Sequence, residues 1–184
     1  LARQEKLDRL VAVKVLHKGL AQDEVFLERF FREARAAALF QHQNVVAVID
    51  ADQDEETGEH YIAFEYVEGG SLEDLITIEV FKERRALEIV REIARALQFA
   101  QSKGIVHRDV KPDNILVGND GLPKLADLGL AKTFEGPAAK AVTQTGVIVG
   151  TPLYMAPEQA LGYETIDIRA DIYSLGLCLW RMLT

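Results

Sequence analysis

His107-Arg108-Asp109-Val110-Lys111-Pro112-Asp113-Asn114, followed a short hairpin later by Asp127-Leu128-Gly129, is the stretch that decides how this chain is read. It gathers the carboxylates of Asp109 and Asp127, the amide of Asn114, the lysine Lys111 and the arginine Arg108 around what reads as one small site. Asp109 can accept a proton from an attacking hydroxyl, Asn114 and Asp127 can hold Mg²⁺ through hard oxygen atoms, and Lys111 can neutralise a phosphate. That inventory fits phosphoryl transfer, in which a protein contributes mainly positioning and electrostatic stabilisation. Taken singly, an Asp or Asn in such a loop is more simply an Asx-turn residue. The set, in this order, is what points to chemistry.

Working outward, Arg9 to Leu16 alternates as a strand, with Val11, Val13 and Val15 on one face and Ala12, Lys14 and Leu16 on the other. Asp23 to Phe40 reads as a helix whose stripe carries Phe26, Phe30, Glu33 and Ala37, while Glu28 falls off it. Lys14 and Glu33 are opposite charges on otherwise apolar faces of adjacent elements. Pairing explains both, because a lone buried ion costs several kcal/mol on the order set by desolvation. A snorkelling Lys14 and a solvated Glu33 are the alternative.

These residues carry a resemblance. Val11-Ala12-Val13-Lys14 resembles V-A-I-K, the run from His107 to Asn114 resembles H-R-D-x-K-x-x-N, and Asp127-Leu128-Gly129 resembles D-F-G of the protein kinase family. Gly150-Thr151-Pro152-Leu153-Tyr154-Met155-Ala156-Pro157-Glu158 is similar to the family's substrate-binding loop ending in A-P-E. Four motifs in the family's order are a strong signal where any one would be weak. Val142 to Thr145, Val-Thr-Gln-Thr, resembles the activation segments of bacterial, eukaryotic-like serine/threonine protein kinases.

The resemblance implies an α+β, two-lobed fold truncated at both ends: residues 1–67 form part of a sheet-rich lobe and the hinge, and 68–184 part of a helical lobe. It implies ATP and Mg²⁺ as cofactors, with Asp109, Lys111 and Thr151 catalytic and Asn114 and Asp127 on the metal. Lys14 would hold the α/β-phosphates and Glu33 would orient it. Ala12 and Leu116 are counted among the ATP-binding residues, with Phe64 as gatekeeper and the backbone of Glu65 and Val67 on adenine. For Glu65 to Leu72 a plain Gly-Gly turn explains the same letters. His107 is expected to pack inward and hold backbone groups. Leu128 replaces the family's Phe at modest cost. Arg108, before Asp109, marks kinases whose activation segment is phosphorylated, and Thr143 and Thr145 are the candidate sites, although threonines are also ordinary loop residues. Lys111 and Thr151-Pro152 match the serine/threonine branch, so the expected partners are proteins with Ser or Thr acceptors. Asp171 would hold the catalytic loop's backbone, and Glu158 would pair with an arginine beyond this chain. Small-molecule phosphotransferases lack the loop from Thr151 to Glu158, and intact Lys14, Glu33, Asp109, Asn114 and Asp127 speak against a pseudokinase scaffold.

Strands are expected over Val45 to Asp50 and Tyr61 to Tyr66, joined by an acidic turn from Asp52 to Glu59. Ser71 resembles an N-cap opening a short helix through Leu75. Glu83 to Ser102 reads as a long helix buried along Leu87, Val90, Ala94, Leu97 and Phe99 and ended by Gly104. Lys132 to Val149 is rich in Thr, Ala and Gly and fits a mobile segment.

With 184 residues, nearly half apolar, the chain can bury a real core. A net charge of -8 argues against general nucleic-acid binding but leaves room for a nucleotide. The single cysteine, Cys178, reads as a buried thiol, and no disulfide within the chain is possible. No membrane segment is expected, since the apolar run from Ile172 to Leu183 is shorter than the roughly 20 residues of a span and holds Arg181; it reads as a buried helix. The expected location is the cytoplasm or the cytoplasmic face of a membrane. Opening at Leu1 and stopping at Thr184, the chain reads as a fragment without the Gly-rich phosphate loop and the later helices. The expectation is that the fragment alone is inactive and poorly soluble, exposing the flank of Ile172 to Leu183.

Overall fold

Val11 and Leu16 are buried in the segment that alternates in sequence, and Leu16 belongs to the smaller of two cores. The computed structural model describes residues 1–16, 19, 21, 23–38, 40–78, 80–127, 152–163 and 165–184, without the side chains of Arg29, Glu33, Ala36 and Pro152. Strand β1 (Ala2–Gln4) turns through a 3₁₀ segment into β2 (Arg9–Val15), and the helix α1 spans Glu24–Ala38. Strands β3 (Val48–Gln53) and β4 (His60–Glu65) complete an antiparallel sheet in the order β1-β2-β4-β3. Asp23 caps α1 by accepting the N–H groups of Val25 and Phe26 at 3.0 and 3.1 Å. Phe30 and Ala34 of α1 pack with Leu16 and Ile62, and Phe26, Leu27 and Phe31 close over them.

The larger core is built mostly from residues beyond Val67, joined by Phe40 and Val45. Strand β5 (Gly69–Ser71) leads into α2 (Leu72–Ile78), then α3 (Glu83–Ser102), the hairpin β6 (Ile115–Gly118) and β7 (Pro123–Leu125), and finally α4 (Ile168–Leu183). Strands β5, β6 and β7 form a second antiparallel sheet. Ser71 caps α2: its Oγ accepts the Asp74 N–H at 3.1 Å, while Asp74 Oδ2 accepts the Ser71 N–H at 3.1 Å. Helices α3 and α4 share one core with Val110, Ile115 and Leu125 of the loop and hairpin.

Several expected boundaries move. The strand expected from Val45 starts at Val48, because Val45 forms an isolated parallel bridge to Leu125. The strand expected from Tyr61 runs one residue earlier, His60 to Glu65. The acidic turn narrows, since Asp52 and Gln53 still belong to β3 and the Asp54 carbonyl accepts the Gly58 N–H at 2.8 Å. Helix α2 continues past Leu75 to Ile78, and α1 stops at Ala38. The limits of α3 are those expected, and Gly104 takes φ +73° after it. Its buried face agrees in part: Leu97 is buried and Val90 and Phe99 pack against the core, together with Ala86, Ile89, Ile93, Ala96 and Ala100, whereas Leu87 is 49% exposed and Ala94 is exposed. Helix α4 is buried on one side only: Ala170, Leu175, Cys178 and Met182 face the core, while Ile172, Tyr173, Trp180 and Leu183 are exposed. Among the described residues no helix is long and apolar enough to cross a membrane.

Candidate functional site

The loop between α3 and β6 is held by side chains from elsewhere. Asp171, 1% exposed on α4, accepts the His107 N–H at 2.8 Å through Oδ2 and the Arg108 N–H at 2.7 Å through Oδ1. Burial pushes the Asp171 carboxyl above its ordinary pKa, and these two amides pull against the shift. His107, also 1% exposed, places Nδ1 3.3 Å from the Asp109 N–H and Nε2 2.9 Å from the Ala126 carbonyl. An Nδ1 that accepts and an Nε2 that donates define one neutral tautomer, so the histidine holds backbone on both sides of the site. Arg108 sits at φ +68°, a left-handed conformation rare for a residue with a Cβ. Its carbonyl accepts Gln159 Nε2 at 2.8 Å, which ties the loop to the helical turn Pro157–Ala160.

Asp109 stands at the centre of this frame. Asn114 Nδ2 donates to both the backbone carbonyl and Oδ2 of Asp109, each at 2.8 Å. Lys111 Nζ lies 3.0 Å from the same Oδ2. Pro112 opens a 3₁₀ turn that ends on Asn114, and the Asn114 N–H closes it on the Lys111 carbonyl at 3.0 Å. Three residues expected to act together are therefore within bonding distance.

Asp127 comes to the same place by another route. The Leu125 N–H donates to the Asn44 carbonyl at 2.8 Å, the Val46 N–H to the Leu125 carbonyl at 2.9 Å, and the Ala126 N–H to the Asn114 carbonyl at 2.8 Å. Buried Asn44 adds Nδ2 on the Pro123 carbonyl at 2.9 Å. Asp127 itself takes φ +58°, and its Oδ1 meets Lys14 Nζ at 3.1 Å. The side chains of this pair are 46% and 40% exposed, so Lys14 stands in an open cleft and not in the buried setting expected from its strand face. The partner expected for Lys14, the Glu33 side chain, lies outside the described residues.

The donor set suits a hard divalent cation. Asn114 spends its amide nitrogen on Asp109, which leaves Oδ1 as the atom to face a metal, and Asp127 adds a carboxylate. Among the described residues no group of three or more His, Cys, Asp or Glu side chains could hold a metal by itself. A cation here would share ligands with water or phosphate oxygens, the habit of Mg²⁺.

The strand end above this cleft carries the remaining expected residues. Phe64 lies opposite Ala12 in the β2–β4 pairing and packs on the smaller core. The Glu65 N–H donates to the Ala47 carbonyl at 2.9 Å, while the Val67 N–H has no partner among the described residues. Leu116, half-buried on β6, pairs with Ser71 and Lys124.

Residues 1–184 match the protein kinase domain. The chain belongs to the protein kinase family. Over its full length it is 44% identical to the serine/threonine-protein kinase PknB of Mycolicibacterium smegmatis, covering 30% of that protein. It is 42% identical, again over its full length and 30% of the relative, to PknB of Mycobacterium tuberculosis. Against the serine/threonine-protein kinase pkn2 of Myxococcus xanthus the identity is 40%, with 22% of that protein covered. The chain thus spans less than a third of the length of these relatives.

Within this kinase-family chain the structure brings together Asp109, Lys111 and Asn114, and separately Lys14 and Asp127, with the two sets stitched by Ala126 and His107. Thr151, Thr143 and Thr145, with Leu128 and the segment from Lys132 to Val149, lie outside the described residues. Tyr154 of the substrate-type loop accepts Ser174 Oγ on its carbonyl at 2.6 Å, and burial raises its phenol pKa. Sequence reasoning missed Gln159, Asn44 and Lys124. The first two act on backbone carbonyls, which leaves no local signature. Lys124 carried a faint one, a lone cation between the apolar Pro123 and Leu125 of β7.

Proposed function

We propose that the protein to which this chain belongs transfers the γ-phosphate of ATP to Ser or Thr hydroxyls of protein substrates. The single observation that carries the reading is the Asp109 carboxylate, held by Asn114 and Lys111 in a loop stitched to the segment of Asp127. Asp109 orients the attacking hydroxyl and takes its proton, and Lys111 stabilises charge on the transferred phosphoryl group. Asn114 and Asp127 hold Mg²⁺, which when bound neutralises the phosphate oxygens. Lys14 grips the α/β-phosphates, exchanging part of its contact with Asp127 for them. Ala12, Phe64 and Leu116 line the adenine, and the open Val67 N–H, with the Glu65 carbonyl, meets its edge. Glu33 orients Lys14, Thr151 bridges Asp109 and Lys111, and Arg108 answers phosphate on Thr143 or Thr145. A cavity of about 360 Å³ beside the loop, lined by Glu73, Asp113, Leu153, Tyr154 and Arg181 among others, gives a protein substrate a place to lie. ATP supply places this unit in the cytoplasm or on the cytoplasmic face of a membrane.

The test is Asp109→Asn in the full-length protein, assayed with Mg²⁺, radiolabelled ATP and a general protein substrate. Nucleotide binding should persist while phosphoserine and phosphothreonine fall by about a hundredfold or more. Undiminished transfer, or label found on tyrosine, would refute the assignment.

A further inference from the structure

Glu65 ends β4, where only its backbone was expected to matter, yet its side chain is the more firmly held part. Lys124 Nζ reaches both carboxylate oxygens, at 2.8 Å to Oε1 and 2.9 Å to Oε2. The Ala47 N–H donates to Oε1 as well, at 2.8 Å. The two side chains are 29% and 20% exposed, so water competes weakly for them. One carboxylate thereby joins three segments: the end of β4, the connection before β3, and β7.

What lies downstream of Lys124 gives this junction its meaning. Strand β7 is followed directly by Ala126 and then by Asp127, where the chain bends at φ +58°, and Leu125 and Ala126 are each pinned by backbone hydrogen bonds to Asn44, Val46 and Asn114. A shift of Lys124 along its strand would therefore be passed to Asp127 with little slack. At the other end, Glu65 is two residues from the open Val67 N–H. We infer that the Glu65–Lys124 pair is a positioning device that sets the distance between the base-facing end of β4 and the phosphate- and metal-facing Asp127. Neither side chain touches the nucleotide. The pair acts through the spacing of the two segments that do, and this inference rests on the kinase reading above.

The experiment uses the full-length protein and measures ATP affinity directly with a fluorescent ATP analogue, KM and kcat with varied ATP, and the melting temperature. Lys124→Met should raise KM and the nucleotide Kd by about fivefold to tenfold, within the usual range for coupled charged pairs, with kcat changed by less than about twofold. Lys124→Arg, which keeps a two-pronged contact with the carboxylate, should restore KM. Glu65→Gln combined with Lys124→Met should be no worse than the poorer single variant. A pair that merely stabilises the fold would lower the melting temperature and the active fraction with KM unmoved, and that result overturns the inference. So does a fall in KM, which would mean that the pair restrains the site. If Lys124→Met fails to fold, the arginine and glutamine variants carry the same comparison. Wild-type protein that neither binds nor uses ATP would sink the kinase reading itself, whereas an active wild type with an unmoved KM in Lys124→Met sinks only this step.

Discussion

Replacing Asp171 by alanine removes the carboxylate that accepts two amides of the loop before Asp109, those of His107 and Arg108. Each orphaned donor costs about 1–3 kcal/mol, so the variant should lose about 2–6 kcal/mol of stability. Urea slopes of about 2 kcal/mol per molar convert that into a midpoint lowered by about 1–3 M. Asp171→Asn keeps one acceptor and turns an amide NH₂ toward the other N–H. It also removes a carboxylate whose burial is unfavourable, so its loss should be about half as large. Activity should fall further than stability alone explains. Arg108 is held at φ +68°, a conformation costing about 1–2 kcal/mol, by Asp171 on its N–H and Gln159 on its carbonyl. Released on one side, the loop relaxes and Asp109 moves with it. Urea denaturation followed by tryptophan fluorescence, paired with phosphate transfer by the folded fraction, reads both effects. An Asp171→Ala protein with an unmoved midpoint and normal transfer would refute the reasoning.

Lys14→Met should leave stability within about 1 kcal/mol, since the Lys14–Asp127 pair is nearly half exposed, while transfer falls by about a hundredfold or more; denaturation and kinase assays separate the two. Burial pushes the Cys178 thiol up to about 12, so it should resist alkylation at neutral pH until the protein unfolds, as thiol labelling with and without denaturant will tell. A raised pKa means that the folded state keeps its proton longer, so stability from this group is whole below about pH 9 and declines as pH rises toward 12 by up to about 1.4 kcal/mol per unit. Cys178→Ala should flatten that decline in melts between pH 9 and 11. Gly69→Ala would drive a Cβ into the Val117 carbonyl oxygen and within 3.1 Å of the Gly118 Cα, both backbone, and should cost about 1–3 kcal/mol in a thermal melt.

How far the letters alone carried the structure differs by element. The loop from His107 to Asn114 was legible because its contacts are local: Asp109, Lys111 and Asn114 meet within one turn. The limits of α3 were legible from its apolar period and from Gly104, and its buried face only in part. Val90, Leu97 and Phe99 do pack on the core, whereas Leu87 and Ala94 are exposed, and the buried Ala86, Ala96 and Ala100 were passed over because small side chains mark a face weakly. Val45 and Val46 looked like the start of β3, yet both are spent on Leu125, a partner about eighty residues away that no local period reveals. Lys14 was singled out on an imperfect ground, since its strand face is open and its described partner is Asp127. Gln159 was illegible because a distant carbonyl defines it, and Lys124 left only a faint sign because its partner is a distant carboxylate.

The left-handed backbone at Asp127 bears on any effort to randomise this chain. A library at that position screens two properties together, tolerance of an inverted dihedral and possession of a negative charge, and valine or isoleucine would fail the first before the second was ever examined. Asparagine is the informative substitute: it accepts the inverted backbone about as readily as aspartate and carries no charge. An Asp127→Asn clone that folds yet does no chemistry would separate electrostatics from shape at a site where the fold has fused them.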